Sequence, residues 1–154
     1  MNVTLKKSLS VDEISRLSSD YLDSGVKKEA WKITRVDIDG PVLNACIRMT
    51  STCASVTDEA GFHLTIFSTM EFLSQLANIY FHAWAGYEDK TREVWMRESS
   101  ISCIQAIRDA DNIMVRLEVK SLKKAGDNAL GLIHYEVTDT GGGRFEGRLK
   151  GVLS

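Results

Sequence analysis

The chain has 154 residues, of which 44% are hydrophobic, and its formal net charge is −2 at pH 7. A chain of this length most simply forms one domain, residues 1–154, that buries roughly two thirds of its unfolded surface. The charge balance argues against a nucleic-acid-binding protein, because there is no basic excess to neutralise phosphates. No run of 18 apolar residues is present to span a membrane, and residues 1–10 lack the apolar core of a signal peptide, so we expect a cytoplasmic protein.

The three cysteines, Cys46, Cys53 and Cys103, are widely spaced and odd in number. Neither a disulfide framework nor a zinc site is indicated, because both need paired or closely spaced ligands. We expect Cys46 and Cys103 to be small core residues, whereas Cys53 lies in a Ser/Thr-rich stretch and is a weak candidate for a nucleophile. The sequence therefore predicts no metal and no cofactor.

The N-terminal part of the chain predicts one short helix and two strands. The segment SVDE at residues 10–13 has the form of a helix start, and apolar residues at helical spacing continue the helix to Gly25. These residues are Ile14, Leu17, Tyr21 and Leu22. Residues 31–38 and 42–50 alternate in polarity, and the DGP segment at 39–41 indicates a tight turn between two strands.

The longest element is a helix predicted over residues 68–85. Ser68 and Glu71 have the spacing of a capping box, in which both side chains bind free backbone N–H groups at a helix start. No Gly or Pro interrupts the chain from Met70 to residue 85, and Gly86 stands where a terminal glycine is expected. Apolar residues cover most of the circumference of this helix, so we expect it to be buried nearly all round.

Four polar side chains of this helix fall on one line along its surface: Glu71, Gln75, Asn78 and His82. At about 100° per residue they lie within roughly 60° of one another. Either they form the solvent-facing edge of an amphipathic helix, with Glu71 acting only as a cap, or they meet a partner, water or a ligand. The second interpretation is favoured because the helix has no Lys or Arg, which a solvent-facing edge normally carries.

Four further strands follow the helix, at residues 92–107, 113–120, 130–137 and 144–151. Every connection between them is short enough for an antiparallel hairpin. A single long apolar helix followed by such strands is buried only if the twisted sheet curls around it. The sequence thus predicts an α+β fold, with a short N-terminal helix and an antiparallel sheet wrapped around one long helix.

This order of elements, over nearly the whole chain, resembles the hot-dog fold superfamily, whose members act on acyl thioesters of coenzyme A (CoA) or acyl carrier protein (ACP). At motif level, His63 and the QLA segment at residues 75–77 sit at the spacing seen in FcoT-type long-chain acyl-CoA thioesterases. In that family a His-Phe-Asn segment leads into a helix containing Asn-Gln-Leu-Ala, and its two asparagines fall here on Thr65 and Ser74. The resemblance implies hydrolysis of a fatty or polyketide-type acyl thioester.

A second resemblance is to the β-hydroxyacyl-ACP dehydratases. Glu71 and Gln75 match the acidic-x-x-x-Gln motif on the helix of these enzymes, where an upstream histidine and the helix carboxylate form an acid–base pair. The resemblance implies that His63 and Glu71 are that pair, although this chain lacks the prolines of the family's His-Phe-Pro-Gly and Pro-Gly segments. Relatives of the FcoT group are also linked with glycine addition to enoyl-ACP, so an enoyl-ACP-modifying enzyme is a further alternative.

The residues near the helix start predict how such an enzyme would work. A helix N-terminus presents free N–H groups and a partial positive charge to a thioester carbonyl, and we expect Thr69 and Met70 to supply these donors. In a thioesterase Glu71 would activate water, with Gln75 and Asn78 orienting water or substrate and His63 assisting. Burial would raise the pKa of Glu71, whereas the helix end would lower it. The residues predicted to bind substrate are Ser68, Thr69, Met70, Asn78, His82 and Thr65.

Some of these residues also have a purely structural interpretation. Ser68 is more simply a helix cap than a nucleophile. Without a catalytic role, His63 is a loop histidine, and without a substrate-binding role, His82 is a histidine of the interior or of an interface. The expected substrate partner is acyl-CoA or acyl-ACP. Because hot-dog sites usually form between two protomers, we expect a homodimer in which the polar stripe faces the other subunit. Outside enzymes, the alternative is a protein that binds an acyl ligand without turnover.

Overall fold

The computed structural model describes residues 8–19, 22–23 and 26–154. The elements of that part of the chain are, in order, α1 (Val11–Leu17), β1 (Leu22–Asp23), β2 (Val26–Lys27), β3 (Ala30–Asp39), β4 (Val42–Ser51), α2 (Ile66–Ala85), β5 (Val94–Gln105), β6 (Ile113–Ala125), β7 (Asn128–Thr138) and β8 (Arg144–Leu153). Strands β3 to β8 form one six-stranded antiparallel sheet, and α2 packs against it. The predicted α+β architecture is confirmed. Neither described helix is long and apolar enough to cross a membrane.

The N-terminal helix is shorter than its sequence pattern predicts. Its capping box is present, because Ser10 Oγ accepts from the Glu13 N–H at 3.2 Å and Glu13 Oε2 accepts from the Ser10 N–H at 2.9 Å. The helix ends at Leu17, however, and Leu22–Asp23 pairs as a strand with Val26–Lys27, so the prediction of a helix reaching residue 25 was wrong. Two residues of that prediction, Tyr21 and Gly25, lie outside the described residues.

The sheet has the strand order β3-β4-β6-β7-β8-β5. Hairpins join β3 to β4, β6 to β7 and β7 to β8, as the short connections predict. Strand β5 pairs with β8 and not with β6, so the prediction of a hairpin at every connection after α2 was wrong at this one. The chain leaves β5 at one edge of the sheet and returns to the middle, where β6 pairs with β4.

Asp139, in the turn between β7 and β8, anchors this crossing connection. The side chain is 7% exposed, and Oδ2 accepts from the backbone N–H groups of Arg108 and Asp109 at 2.7 and 3.0 Å. Its Oδ1 accepts from the N–H groups of Gly141 and Gly143 at 2.9 and 2.7 Å. Burial raises the pKa of Asp139, but the four backbone donors outweigh it and lower the pKa overall. The β5–β6 connection is therefore tied to the β7–β8 turn.

Helix α2 packs into the core, but the prediction that it is buried nearly all round was wrong, because Ile79 and Trp84 are each 38% exposed. Its side chains Phe72, Leu73, Leu76 and Phe81 are completely buried. The helix approaches β7 so closely that a Cβ added at Gly131 would lie 2.6 Å from Phe81 Cζ. The absence of a side chain at residue 131 is thus a condition for the close packing of helix and sheet.

Strand β5 is an edge strand with β8 on one side. Trp95 and Ile104 on this strand are each 61% exposed. Cys103 is exposed as well, so the expectation that it is a core residue was wrong, whereas Cys46 is half-buried. The physical reason is the edge position of β5, because its side chains have a neighbouring strand on one side.

Candidate functional site

The helix α2 begins two residues earlier than predicted. Thr65 is the N-cap residue, since its Oγ1 accepts from the Ser68 N–H at 3.4 Å, and Ile66 is the first helical residue. The predicted capping box of Ser68 and Glu71 was therefore wrong. Both residues have the right spacing for it, but they lie inside the helix.

This shift changes which backbone groups are free. Thr69 donates its N–H to the Thr65 carbonyl at 3.1 Å, and Met70, one residue further into the helix, is likewise within the intrahelical ladder. The prediction that Thr69 and Met70 present free N–H groups to a substrate was wrong. Thr69 is also fully buried, and its Oγ1 donates to the same carbonyl at 2.8 Å. By position, Ile66 and Phe67 carry free donors at this helix end.

A buried carboxylate lies against this first turn. Glu29, between β2 and β3, is 4% exposed, and its Oε2 accepts hydrogen bonds from the hydroxyls of Thr65 and Ser68, both at 2.5 Å. Its Oε1 is buried and has no hydrogen-bond partner among the described residues. Glu29 thus lies where a helix N-terminus favours an anion, and its charge offsets the partial positive charge that we expected to act on a thioester.

Lys27 links this buried carboxylate to Glu71. Its Nζ donates to Ser68 Oγ at 3.2 Å and forms a salt bridge with Glu71 Oε2. Trp31 Nε1 donates to the same oxygen of Glu71 at 2.8 Å. The Lys27 side chain is 17% exposed and that of Glu71 49%, so the pair opens to solvent at Glu71. The α2 N-terminal cluster is defined here as Lys27, Glu29, Trp31, Ser68 and Glu71.

The cluster favours the ionised form of Glu71. Partial burial would raise the pKa of Glu71, but the hydrogen bonds from Lys27 and Trp31, together with the Lys27 charge, outweigh it and lower the pKa overall. The sequence left open whether the pKa of Glu71 is raised or lowered, and the structure favours the lowered pKa. Both of the described donors bind Oε2, which leaves Oε1 to accept from water or a substrate.

His63 belongs to a different group of charges. Its Nδ1 lies 2.6 Å from Asp58 Oδ2, and Arg108 Nη1 donates to the same oxygen at 3.3 Å. These hydrogen bonds, from His63 first and Arg108 second, lower the pKa of Asp58. Across residues 8–19, 22–23 and 26–154, no hydrogen bond joins His63 to Glu71. The two residues of the predicted acid–base pair are therefore held by different partners.

The predicted polar stripe of α2 changes character along its length. Gln75, one turn after Glu71, is exposed, whereas Asn78 is half-buried and His82 is only 7% exposed. Asn78 Oδ1 and His82 Nε2 are buried, with no hydrogen-bond partner in the described part of the chain. The stripe is thus a solvent-facing edge near Gln75 and a recessed polar surface near His82.

Lys27, Glu29 and Trp31 were not predicted from the sequence. The available signal was one of charge: α2 has no Lys or Arg to pair with Glu71, so a partner had to come from elsewhere in the chain. Nothing in the sequence distinguishes Lys27 from its neighbour Lys28, because no periodic pattern covers this segment.

No family model and no curated protein matches this chain, but solved structures do. A mutant thioesterase from Pseudomonas aeruginosa is 12% identical, with 79% of this chain and 80% of that chain covered, at a TM-score of 0.55. A putative thioesterase from Lactococcus lactis is 11% identical, with 79% and 92% covered, at 0.55. A thioesterase from Haemophilus influenzae is 11% identical, with 97% and 93% covered, at 0.52.

At 11 to 12% identity these likenesses concern the fold. They cover from 79% to 97% of the chain. The predicted resemblance is confirmed at this level: the protein has the hot-dog fold, with a six-stranded antiparallel sheet around one long helix.

Proposed function

We propose that this protein is a thioesterase that hydrolyses an acyl thioester of CoA or ACP. The observation that carries the proposal is the Glu71 carboxylate, whose ionised form Lys27 and Trp31 favour, at the solvent-open side of the α2 N-terminal cluster. A fold that solved thioesterases share supports the reaction class, and Glu71 supplies the base that hydrolysis needs. A cytoplasmic location stays a prediction of the composition.

In this mechanism Glu71 Oε1 accepts a proton from a water molecule while the water oxygen attacks the thioester carbon. The C–S bond then breaks as the tetrahedral intermediate collapses, and the thiolate takes the proton from Glu71. Gln75 is exposed one turn further along α2, and its amide is the candidate for orienting the water or the acyl group. Met70, half-buried beside Glu71, is the candidate for contact with the acyl chain.

Lys27 is the candidate for stabilising the oxyanion of the intermediate. An ammonium group has three N–H donors, and the described contacts of Lys27 use two of them, to Ser68 and Glu71. The third donor is available to bind an oxyanion, which is the role that we expected the N–H groups at the helix start to have. Ser68 and Thr65 donate their hydroxyls to Glu29, so their role in this proposal is to position the first turn and not to bind substrate.

The test is a panel of acyl-CoA and acyl-ACP substrates, analysed by mass spectrometry for free acid and free thiol. We expect wild-type protein to release both, and Glu71→Gln to be about 100-fold slower or more, as is usual when a general base is removed. Glu59→Gln, an exposed glutamate in the loop before α2, is the matched control and should be unchanged. Release of no free acid from any substrate would contradict hydrolysis, and full activity of Glu71→Gln would contradict the role of Glu71.

The same panel separates the alternatives. Loss of water from β-hydroxyacyl thioesters would identify a dehydratase, in which His63 takes the α-proton and Glu71 protonates the leaving hydroxyl. Addition of glycine to an enoyl thioester would identify an enoyl-ACP-modifying enzyme. A rise in melting temperature with acyl ligand, without any product, would identify an acyl-binding protein.

A homodimer in which β5 takes part is the second element of the proposal. The strand runs over Val94–Gln105 and is paired with β8; within the described residues no strand lies on its other side. A long edge with exposed Trp95 and Ile104 is a template for pairing with another copy.

Light scattering tests this dimer: it should give twice the 17.2 kDa chain mass, and Ile104→Lys should lower the measured mass. The control Val56→Lys, at an exposed loop residue, should leave it unchanged; a wild-type monomer at micromolar concentration would contradict the proposal.

A further inference from the structure

A pocket of about 330 Å³ lies beside the last turns of α2. Its walls include Asn78, Ile79, His82 and Tyr87, and Glu88 and Asp89 also line it. The His82 end is about 16 Å along the helix from Glu71, at 1.5 Å per residue, so the pocket is separate from the α2 N-terminal cluster. Its volume is at the small end of the range for small-molecule sites.

The end of α2 builds this pocket. Gly86 has a φ of 77°, a left-handed conformation that glycine adopts without strain. Its N–H donates to the Ala83 carbonyl at 3.1 Å, and the Tyr87 N–H donates to the His82 carbonyl at 3.0 Å, which is the bond pattern of a Schellman motif. This turn returns Tyr87 to the helix, where its ring centroid lies 5.8 Å from that of His82.

A backbone carbonyl fixes the hydrogen-bonding character of His82. The His82 Nδ1 lies 2.9 Å from the Asn78 carbonyl oxygen. A carbonyl oxygen can only accept, so Nδ1 carries the hydrogen of this bond, and Nε2 of the neutral ring is an acceptor without a hydrogen. The ring is held in this orientation by the helix itself.

Two residues that line the pocket carry unpaired acceptors. His82 is 7% exposed, and both its Nε2 and Asn78 Oδ1 are buried without a partner among the residues that the structure describes. Buried acceptors without a donor cost free energy, because they lose their hydrogen bonds to water. Two of them in residues that line one pocket favour a ligand that brings hydrogen-bond donors.

The surrounding charges favour a cationic donor. Glu88 and Asp89 are exposed beside the pocket, and no ion pair to either is present in the described part of the chain. One cation, Lys90, also lines the pocket, but its ammonium forms a salt bridge with Glu93. Two acidic side chains thus lie at the pocket beside a cation that is already paired, which favours a positively charged ligand.

We propose that this pocket binds a small primary ammonium compound with an apolar body. The ammonium donates to Asn78 Oδ1 and His82 Nε2, and the apolar body packs against Ile79 and Tyr87, which are each 38% exposed. Glu88 and Asp89 provide the charge complement. This binding is independent of thioester hydrolysis, so its test needs no turnover.

The test uses three probes of the same shape: benzylammonium, benzyl alcohol and benzoate. Each is titrated into the full-length protein while the His82 ring nitrogens are followed by NMR. We expect saturable shifts of His82 with benzylammonium at millimolar concentration, weaker binding of benzyl alcohol and none of benzoate. Asn78→Leu should weaken benzylammonium about tenfold or more, whereas Gln75→Leu, at an exposed residue of the same helix, should not.

If Asn78→Leu does not fold, a second variant at the surface still tests the proposal. Asp89→Asn should weaken benzylammonium severalfold and leave benzyl alcohol unchanged, because it removes charge from an exposed side chain. Equal binding of benzoate and benzylammonium, absence of saturation, or unchanged binding in Asp89→Asn would overturn the proposal. A His82 signal that responds to protein concentration and not to benzylammonium would also overturn it, because a second copy of the chain would then fill the pocket.

Discussion

Lys27 and Glu71 form a salt bridge between residues 44 positions apart, which joins strand β2 to the second turn of α2. The same ammonium donates to Ser68, whose hydroxyl proton is directed to Glu29. The buried carboxylate and the solvent-open one are therefore ends of a single hydrogen-bond network. We expect a substitution at either carboxylate to alter the hydrogen bonding of the other.

We expect Lys27→Met to raise the pKa of Glu71, because the Lys27 hydrogen bond and charge are among the causes that lower it. A pKa that is lowered on folding stabilises the protein above the unfolded pKa, and this stabilisation is lost as the pH falls through the folded pKa. The variant should thus lose stability at neutral pH and little at low pH. The acid limb of any activity that depends on Glu71 should move to higher pH.

Urea unfolding between about pH 3 and about pH 7 measures the effect of Lys27→Met. Lys32→Met, at an exposed lysine of β3, is the matched control and should leave the pH dependence unchanged. Identical pH profiles for Lys27→Met and wild type would show that the salt bridge does not set the ionisation of Glu71.

We expect Glu29→Ala to lower the free energy of unfolding by about 1–3 kcal/mol, because the buried hydroxyls of Thr65 and Ser68 lose their acceptor. Glu29→Gln should cost less, since an amide oxygen can replace Oε2. A double-mutant cycle with Ser68→Ala provides the control, because removing the hydroxyl should cost little once its acceptor is gone. Strictly additive effects in urea unfolding would contradict the contact.

Asp139→Asn is expected to lower the free energy of unfolding by about 1–3 kcal/mol at neutral pH, since it removes the charge that four backbone N–H groups bind. The pKa of Asp139 is lowered in the folded protein. Its contribution is therefore present above the unfolded pKa and lost as the pH falls through the folded pKa. Melting temperatures from about pH 3 to about pH 7 should depend less on pH in this variant. Asp127→Asn, at an exposed turn residue, should keep the wild-type pH dependence.

Gly131→Ala should destabilise the protein by about 1–3 kcal/mol, because the new methyl group would lie 2.6 Å from Phe81 Cζ in a closed core. Adding Phe81→Leu should relieve part of this cost, so that the double variant is more stable than the sum of the single effects predicts. Gly141→Ala, whose Cβ would be 3.5 Å from its nearest neighbour, is the matched control in urea unfolding. Equal stability of the two alanine variants would contradict the close approach of α2 to β7.

The start of α2 shows what a local sequence pattern does not predict. Thr65 and Ser68 are both good cap residues, and the sequence favoured Ser68 because Glu71 follows at the right spacing. In the structure the Ser68 hydroxyl is taken by Glu29, 39 positions away, and the cap falls to Thr65. A helix and its buried faces follow from periodicity, whereas the choice between two caps depends on a distant partner.

The same limit applies to the sheet and to the site. Alternating polarity predicts strands, and short turns predict hairpins, but the pairing of β5 with β8 depends on contacts between distant segments such as Asp139 with Arg108. Glu71 stands out in the sequence because it is a carboxylate on an apolar helix. Lys27 and Trp31, which bind it, lie in a segment without any distinguishing pattern.

Strand β8 is the last strand of the sheet to be synthesised, and β5 attaches to the sheet through it. A nascent chain on the ribosome therefore carries β5, with its exposed Trp95 and Ile104, before the strand that receives it exists. Until residues 144–153 emerge, both edges of β5 are open to other chains. We therefore expect chaperones to engage this protein until β8 has emerged, and a chain truncated before residue 144 to aggregate instead of folding into a smaller sheet.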